Sequence, residues 1–417
     1  MKKVLHISYD HTPGAGSVPK LFHEEMKKRG ISSKFLVYGR KVKAKDDVIP
    51  YFNPVKVFFH RVNLAFRLFF SLYGNPKYFF FNLNEKKNHL SAQSILQKVK
   101  FKPDIIIFYW TSRMLNTQSM AELYKSTGAK IYWVMTDMAP YTGGCHYAWG
   151  CKGFEDSCKA CPAIGGNRAA VNLQTKKEQL KDVPMTIIAS AGDSYENARR
   201  SSLFKGIAIK EHYLKVRLSS SIEYAKTKAR KRLGLKETDL IFFIGASNFK
   251  DERKGMQYFM EAANMLSNRL DPEIKRSICF AHSSKKGSKI FDQFPFRTSP
   301  LGYLDFKSDL LSAFIASDVH ISSSIMDTGP YMVNLSMAYG CPVLSFDIGI
   351  AKALVINGQT GFKSKEISAE GLADAMHSFI EHKLKGVNFH ENCIRLAKEK
   401  LYWTDSSLEL FGLSAQH

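Results

Sequence analysis

Short apolar runs alternate along the chain with longer stretches of mixed polarity, and this alternation predicts parallel sheets wrapped by helices. The strand-like runs fall at 4–9, 34–38, 104–109, 131–135 and 186–189 in the first half, and at 240–245, 277–281, 319–322 and 343–346 in the second. A polar, basic stretch from about 210 to 232 reads as the connection between two domains. At 417 residues the chain is long enough for two such domains, each burying its own core. No internal repeat or low-complexity tract interrupts the pattern. Ligands of open α/β sheets bind beyond the carboxyl ends of the strands, so the segments that follow these runs carry the chemistry.

Two of those segments stand out. Residues 326–349, MDTGPYMVNLSMAYGCPVLSFDIG, place Asp327 just past an apolar strand, then Gly329-Pro330 at a tight turn that opens a helix. N–H groups in that first turn attract phosphate. Residues 240–256, LIFFIGASNFKDERKGM, run from a buried strand through a polar loop to Arg253-Lys254-Gly255 at a helix start. Two adjacent cations there suit a diphosphate, arginine bonding it bidentately and lysine acting as a point charge. Singly, each segment also fits an ordinary strand-turn-helix unit or a solvated Lys-Gly pair.

Together the two segments resemble the C-terminal domain of family-4 glycosyltransferases of the GT-B fold, which carry a lysine-glycine after the first strand of that domain and an acidic-x7-Glu motif further on. Residues 136–162, TDMAPYTGGCHYAWGCKGFEDSCKACP, are similar to a cysteine-bearing segment in those relatives that build bacterial surface polysaccharides. The opening VLHISYDHTPGAGSVPKLF is similar to the family's glycine-bearing first loop, and 301–304 (LGYL) and 355–362 (VINGQTGF) are similar to further stretches of the C-terminal domain. The resemblance implies an α/β chain of GT-B type, two doubly wound Rossmann-like domains facing a central cleft. It places an acceptor-side domain at 1–212, a nucleotide-sugar domain at 213–395, and a helix at 396–417 that packs back on the first domain.

It further implies a retaining transfer of a sugar from a nucleotide diphosphate donor to a glycan acceptor, lipid-linked, in surface polysaccharide synthesis. The leaving diphosphate itself helps deprotonate the acceptor, so the protein supplies electrostatic stabilisation more than a nucleophile. Arg253 and Lys254 would neutralise the diphosphate, with N–H donors added near Gly329 and Pro330. Asp327 would hold sugar hydroxyls, and Asp137 would face the cleft near the transferred sugar. The backbone at Gly302 and Tyr303 would meet the base. The first loop, Gly14-Ala15-Gly16, would lie close to the donor phosphates, or its glycines simply supply a turn. No catalytic metal is expected.

Two positions depart from the family pattern. Leu335 stands where the motif's glutamate binds the ribose, with only Asn334 beside it to compensate, and Thr136 stands where many relatives carry a histidine. Losing a charge-assisted ribose contact costs on the order of 1.5–3 kcal/mol of donor affinity. The alternative these departures raise is a catalytically degenerate GT-B scaffold in a polysaccharide-assembly complex. A dinucleotide-dependent oxidoreductase is disfavoured, because Pro19 replaces the third glycine of the fingerprint and Gly39-Arg40 follows the second strand where a ribose-binding acid belongs.

Four of the seven cysteines, Cys145, Cys151, Cys158 and Cys161, fall close together. In a reducing compartment this cluster reads either as a structural zinc site, for which His146 competes as a ligand, or as packing cysteines without a metal. Cys279, Cys341 and Cys393 sit in apolar or helical contexts and read as packing residues.

The formal net charge of +22 calls for a partner. No nucleic-acid motif accompanies it and the cations are dispersed, so nucleic acid is not expected. Residues 54–73, PVKVFFHRVNLAFRLFFSLY, put Lys56, His60, Asn63 and Arg67 on one narrow helical face with aromatic and aliphatic residues elsewhere. Such a helix either lies on an anionic membrane surface or packs on a core with a solvated stripe. No leading apolar run longer than a strand follows Met1-Lys2-Lys3, so the expected location is the cytoplasm, peripheral at the inner face of the cell membrane.

Overall fold

The computed structural model describes residues 2–9, 16–38, 45, 47–51, 74–81, 84–86, 90–218, 225–304 and 309–414. The helix expected at 54–73, the first-loop residues Gly14 and Ala15, and Gly39-Arg40 lie outside them. The chain divides into two compact units, Met1–Ser190 with Ser194–His212 and Thr404–His417, and Ala191–Asp193 with Tyr213–Trp403. The first unit therefore resumes at Thr404.

Seven parallel strands form the sheet of the first unit: β1 (Lys3–Ser8), β2 (Ser32–Tyr38), β3 (Val48–Tyr51), β4 (Ile105–Phe108), β5 (Lys130–Val134), β6 (Met185–Ser190) and β7 (Ala208–His212). Their spatial order is β3-β2-β1-β4-β5-β6-β7, so the chain winds one way from β1 and then returns to add β4 on its other side. Helices α1 (Ser17–Lys28), α2 (Ala92–Val99), α3 (Thr117–Thr127), α4 (Arg168–Leu180) and α5 (Asp193–Arg200) connect them. The middle strands are mostly apolar because both faces are covered, most fully at Ile105–Phe108, where every residue is buried. The segment after Thr404 contains no α-helix among its described residues. It is a 3-10 turn, Asp405–Phe411, whose Phe411 ring lies edge-on to Phe22 and Tyr132 in the core of this unit.

Six parallel strands form the second sheet: β8 (Leu240–Gly245), β9 (Ile278–Ser283), β10 (Arg297–Pro300), β11 (Val319–Ser322), β12 (Val343–Phe346) and β13 (Gly361–Ser364). Around it run α6 (Lys226–Arg232), α7 (Met256–Arg269), α8 (Pro272–Ser277), α9 (Asp309–Ala316), α10 (Tyr331–Ala338), α11 (Ala351–Leu354), α12 (Ala369–Leu384) and α13 (Phe389–Lys400). Alternate side chains of a strand point to opposite faces. Phe242 accordingly joins an aromatic layer with Phe259, Phe280 and Phe379, whereas Phe243 joins the opposite layer with Phe314 and Val343.

Within the stretch from 210 to 232, which reads in sequence as a linker, residues 219–224 lie outside the described residues. The stretch includes the end of β7 and all of α6, whose Arg230 is buried and pairs with Asp318 at 2.8 Å. Its cations are thus partly consumed inside the second unit.

Candidate functional site

In the second sheet the order β10-β9-β8-β11-β12-β13 places the reversal of winding between β8 and β11. Loops leaving the carboxyl ends of two strands that part there open a crevice, the usual ligand position of such sheets. Lys254 follows β8 and Asp327 follows β11, and their side chains meet: Lys254 Nζ donates to Asp327 Oδ2 at 3.0 Å. The lysine ammonium is also 3.5 Å from Ser324 Oγ.

The backbone around this pair is tightly constrained. Ile325 N–H donates to the Arg253 carbonyl at 2.8 Å, and the Ser323 hydroxyl donates to the Lys254 carbonyl at 2.8 Å, lacing one loop to the other. Gly255 has φ +58°, and a Cβ there would stand 2.2 Å from the Ser323 carbonyl oxygen, so only glycine lets the loops close to this distance. Burial pushes the Asp327 carboxyl up, but the Lys254 charge and the hydrogen bonds from Lys254 and Gly329 more than offset it and hold the group below the usual carboxylate value. It stands as an anion inside the site.

The other expected residues of this unit divide. Arg253 is at the site, but its guanidinium already forms a two-point pair with Asp251, Nη2 to Oδ2 at 2.5 Å and Nε to Oδ1 at 3.1 Å. Gly329 N–H donates to Asp327 Oδ1 at 3.2 Å, and Pro330 has no N–H. Pro330 is the N-cap of α10, whose first turn begins at Tyr331. Asn334 lies on α10 beside Leu335. It is wholly buried, its amide donating to the Leu214 carbonyl at 2.8 Å, and Leu335 is buried beside it in the core.

Gly302 and Tyr303 sit in the loop after β10, which is pinned at both ends: Leu301 N–H donates to the His282 carbonyl and Leu304 N–H to Ser283 Oγ. Gly302 is left-handed, φ +67°, and the Tyr303 ring is half exposed with the Lys285 ammonium 4.1 Å from its centroid. An exposed ring flanked by a cation is a platform for a planar base.

The first unit carries a separate polar cluster. Asp137 follows β5 and is buried, with Oδ2 accepting from His146 Nδ1 at 2.7 Å and Oδ1 from Ala139 N–H at 2.8 Å. The aspartate thus fixes the imidazole. Its other nitrogen, His146 Nε2, is buried with no hydrogen-bond partner among the described residues, and the imidazole lies edge-on to Phe81 and Trp110 with ring centroids 4.7 and 6.0 Å apart. Beside it, Lys176 is buried and donates to the carbonyls of Ala139 and Thr142 at 2.7 and 3.1 Å, with the Glu85 carboxylate 3.7 Å away. Glu85, Trp110, Asp137 and Lys176 line one pocket at the ends of β4 and β5. Gly16 immediately precedes α1 in a right-handed conformation and makes no side-chain cap.

Cys145, Cys151, Cys158 and Cys161 all line a second, mostly apolar pocket of this unit, together with Tyr78, Phe80 and Phe154. None is in a disulfide. Burial pushes the Cys145 thiol up to about 12 and the Cys158 thiol up to about 11. His146 Nδ1 is committed to Asp137, which leaves only its Nε2. Among the described residues no three Cys, His, Asp or Glu side chains stand together as a ready-made metal-binding group.

Sequence reasoning missed His146 as a partner of Asp137, because nine positions of irregular loop separate them and nothing in the spacing announces the contact. It also missed Asp251 and Lys285, charged loop residues whose partners are set only by the fold.

Two Rossmann-like parallel-sheet domains define the GT-B class of architecture. Residues 225–400 match the family model described as glycosyl transferases group 1. Solved structures similar to the whole chain include HepE of Anabaena, determined with UDP and glucose (13% identity, 96% of each chain, TM-score 0.59), and sucrose-phosphate synthase of Thermosynechococcus elongatus (14% identity, 98% and 97%, TM-score 0.65). The catalytic domain of starch synthase IV of Arabidopsis thaliana, bound to ADP and acarbose, is also similar (15% identity, 94% and 95%, TM-score 0.60). No curated protein matches the sequence.

Proposed function

We propose that this chain is a retaining glycosyltransferase that moves a sugar from a nucleoside diphosphate donor to a glycan acceptor carried on a membrane lipid, in surface polysaccharide synthesis. The observation that carries the reading is the Lys254–Asp327 pair at the winding reversal of the second sheet, within the segment matched to glycosyl transferases group 1. The ammonium of Lys254 neutralises the diphosphate as its charge grows on departure, which is where fixed electrostatics lowers the barrier. Asp327, held ionised, accepts from hydroxyls of the transferred sugar. Tyr303 with Lys285 offers the base a stacking face, in place of the ribose carboxylate that Leu335 lacks. HepE and starch synthase IV were solved with UDP and ADP respectively, which favours a nucleoside diphosphate as the leaving group here too.

In the first unit the unpartnered Nε2 of His146 is the polar atom suited to a sugar hydroxyl, and Asp137 is the residue that positions it. The membrane-borne acceptor rests on the net charge of +22 and on the basic, aromatic pattern of 54–73. Transfer from a panel of labelled nucleotide sugars into a bacterial lipid extract tests the proposal, with the anomeric configuration of the product read by NMR. Retention of configuration in a lipid-soluble product supports it; inversion, or no transfer by protein that binds nucleotide, overturns it.

A second reading is favoured by one observation, the burial of both Asn334 and Leu335, which leaves the ribose without the expected carboxylate. A scaffold that has lost its donor would bind no nucleotide, and its cellular role would survive Lys254→Met.

A further inference from the structure

The carboxyl end of the first sheet carries a row of aromatic side chains that the chemistry above uses only at one end. Tyr9 directly follows β1, Tyr38 and Tyr51 close β2 and β3, and Trp110 stands two positions past β4. The strands lie in the order β3-β2-β1-β4, and their registers set the four residues level: Tyr38 pairs with Tyr51, Ser8 with Val37 and Ile7 with Phe108. Neighbouring strands lie about 4.8 Å apart, so rings at one level meet. The Tyr38 ring stacks on Tyr51 at 6.5 Å and on Tyr9 at 5.3 Å, and Tyr9 meets Trp110 edge-on at 5.1 Å. The Tyr9 N–H also donates to the Trp110 carbonyl at 2.6 Å, which fixes the middle of the row. Beyond Trp110 the row reaches His146, edge-on at 6.0 Å.

Packing accounts for the rings but not for their polar tips. All four aromatic residues are half-buried, the tyrosines packed on the core of the unit. Among the described residues the hydroxyls of Tyr9, Tyr38 and Tyr51 have no hydrogen-bond partner. Burial, with the neighbouring phenols of Tyr9 and Tyr51, pushes the Tyr38 phenol up, so it remains a donor at neutral pH. At the other end Trp110 Nε1 and His146 Nε2 are buried and without a partner among the described residues. A buried polar group left unpaired costs free energy, and a layer serving only as core would not leave two side by side.

We propose that this row is a subsite for an oligosaccharide, with successive sugars of the acceptor glycan lying along Trp110, Tyr9, Tyr38 and Tyr51; the acceptor role rests on the transferase reading above. Sugars supply what the tips are missing, hydroxyls that both donate and accept, on rings whose C–H bonds pack against aromatic carbon. Tyrosine and tryptophan suit such a ligand because each joins an apolar body to a polar handle. The row contains no lysine or arginine, so it does not fit a nucleic-acid backbone, whose affinity comes from cations. It crosses four strands, about 14 Å from first to last, which is wider than one sugar and selects a chain over a monosaccharide. It also lies where ligands of open parallel sheets bind.

The test is binding of the purified full chain to an array of mono- to hexasaccharides built from hexoses, deoxyhexoses, hexuronates and N-acetylhexosamines, with the best ligand then titrated calorimetrically. At least one oligosaccharide should bind about tenfold or more tightly than its component monosaccharides. Tyr38→Phe keeps the stacked ring and deletes one hydroxyl, so it should weaken that binding by about 2- to 12-fold. Phenylalanine at Tyr9, Tyr38 and Tyr51 together should weaken it further, with the urea midpoint reporting that the fold is kept. Folded protein that binds no glycan of the array, that binds monosaccharides as well as chains, or whose affinity survives the triple substitution overturns the proposal. Titration with UDP, GDP and ADP separates the two readings. Nucleotide binding without glycan binding removes the row and leaves the transferase, whereas glycan binding without nucleotide binding keeps the row and removes the transferase.

Discussion

Replacing Lys254 by methionine keeps the aliphatic stem and deletes the charge on which the nucleotide reading depends. The ammonium lies 3.0 Å from Asp327 Oδ2 and its side chain is 27% exposed, so it is neither fully screened nor fully desolvated. A hydrogen bond to a charged group in such a setting is worth about 1.5–3 kcal/mol. If that bond passes to the diphosphate, its loss weakens nucleoside diphosphate binding by about 10- to 150-fold. The same substitution strands the Asp327 carboxylate without its cation, at a stability cost of about 1–3 kcal/mol. Lys254→Met combined with Asp327→Asn removes both charges, so it should recover much of that stability while leaving nucleotide affinity low. Calorimetric titration with UDP, GDP and ADP, alongside urea unfolding of the three proteins, separates the two effects. Unchanged affinity in Lys254→Met for a nucleotide that the unaltered protein binds would refute the argument, because no diphosphate would then contact this lysine.

Further expectations follow from other packing constraints. Gly255→Ala forces a side chain into a left-handed position 2.2 Å from a carbonyl oxygen, and should cost at least about 1–3 kcal/mol, read as a drop in the urea midpoint. Lys176→Met removes the buried cation that serves two carbonyls and Glu85, and should destabilise the first unit by about 3–5 kcal/mol; a neutral effect in urea unfolding would show the cluster to be dispensable. Burial lowers the His320 imidazole from 6.5 to about 3. Its folded value lies below its unfolded one, so the stability it provides is complete above pH 6.5 and is lost progressively as the pH falls toward 3, by about 1.4 kcal/mol per unit. His320→Leu should flatten that part of the pH–stability curve; an unchanged slope would mean that the ring is protonated in the native protein.

The strands legible in the sequence and those that were not differ in position within the sheets. The nine apolar runs all correspond to interior strands, such as β4 and β8, whose two covered faces demand continuous hydrophobicity. The four strands without a sequence signal, β3, β7, β10 and β13, are the four sheet edges. Each leaves part of its surface toward solvent, as in β7, where Ala208 and Lys210–Glu211 are exposed or half-exposed, so no apolar run marks it.

The site shows the same division. Lys254 and Asp327 could be found because each directly follows an apolar strand, and the sheet order then brings the two strands side by side. Asn334 could not be judged, since its partner, the Leu214 carbonyl, comes from 120 residues earlier in the chain. Asp137 reads in the sequence as a residue near the transferred sugar because it follows a strand; the fold adds that His146 and the Ala139 N–H bond its two carboxylate oxygens. Polar partnerships across irregular loops leave no periodic trace in sequence, whereas burial does.

The central claim is that the second unit binds a nucleoside diphosphate sugar, and thermal unfolding of the purified protein against UDP, GDP, ADP, their common sugar conjugates and NADP tests it most directly. A ligand that binds only the native state raises the melting temperature by mass action. The account predicts a rise confined to one nucleotide and its sugar conjugates, with no response to NADP, and abolished in Lys254→Met. Folded protein that responds to none of these nucleotides, or whose response survives Lys254→Met undiminished, contradicts it.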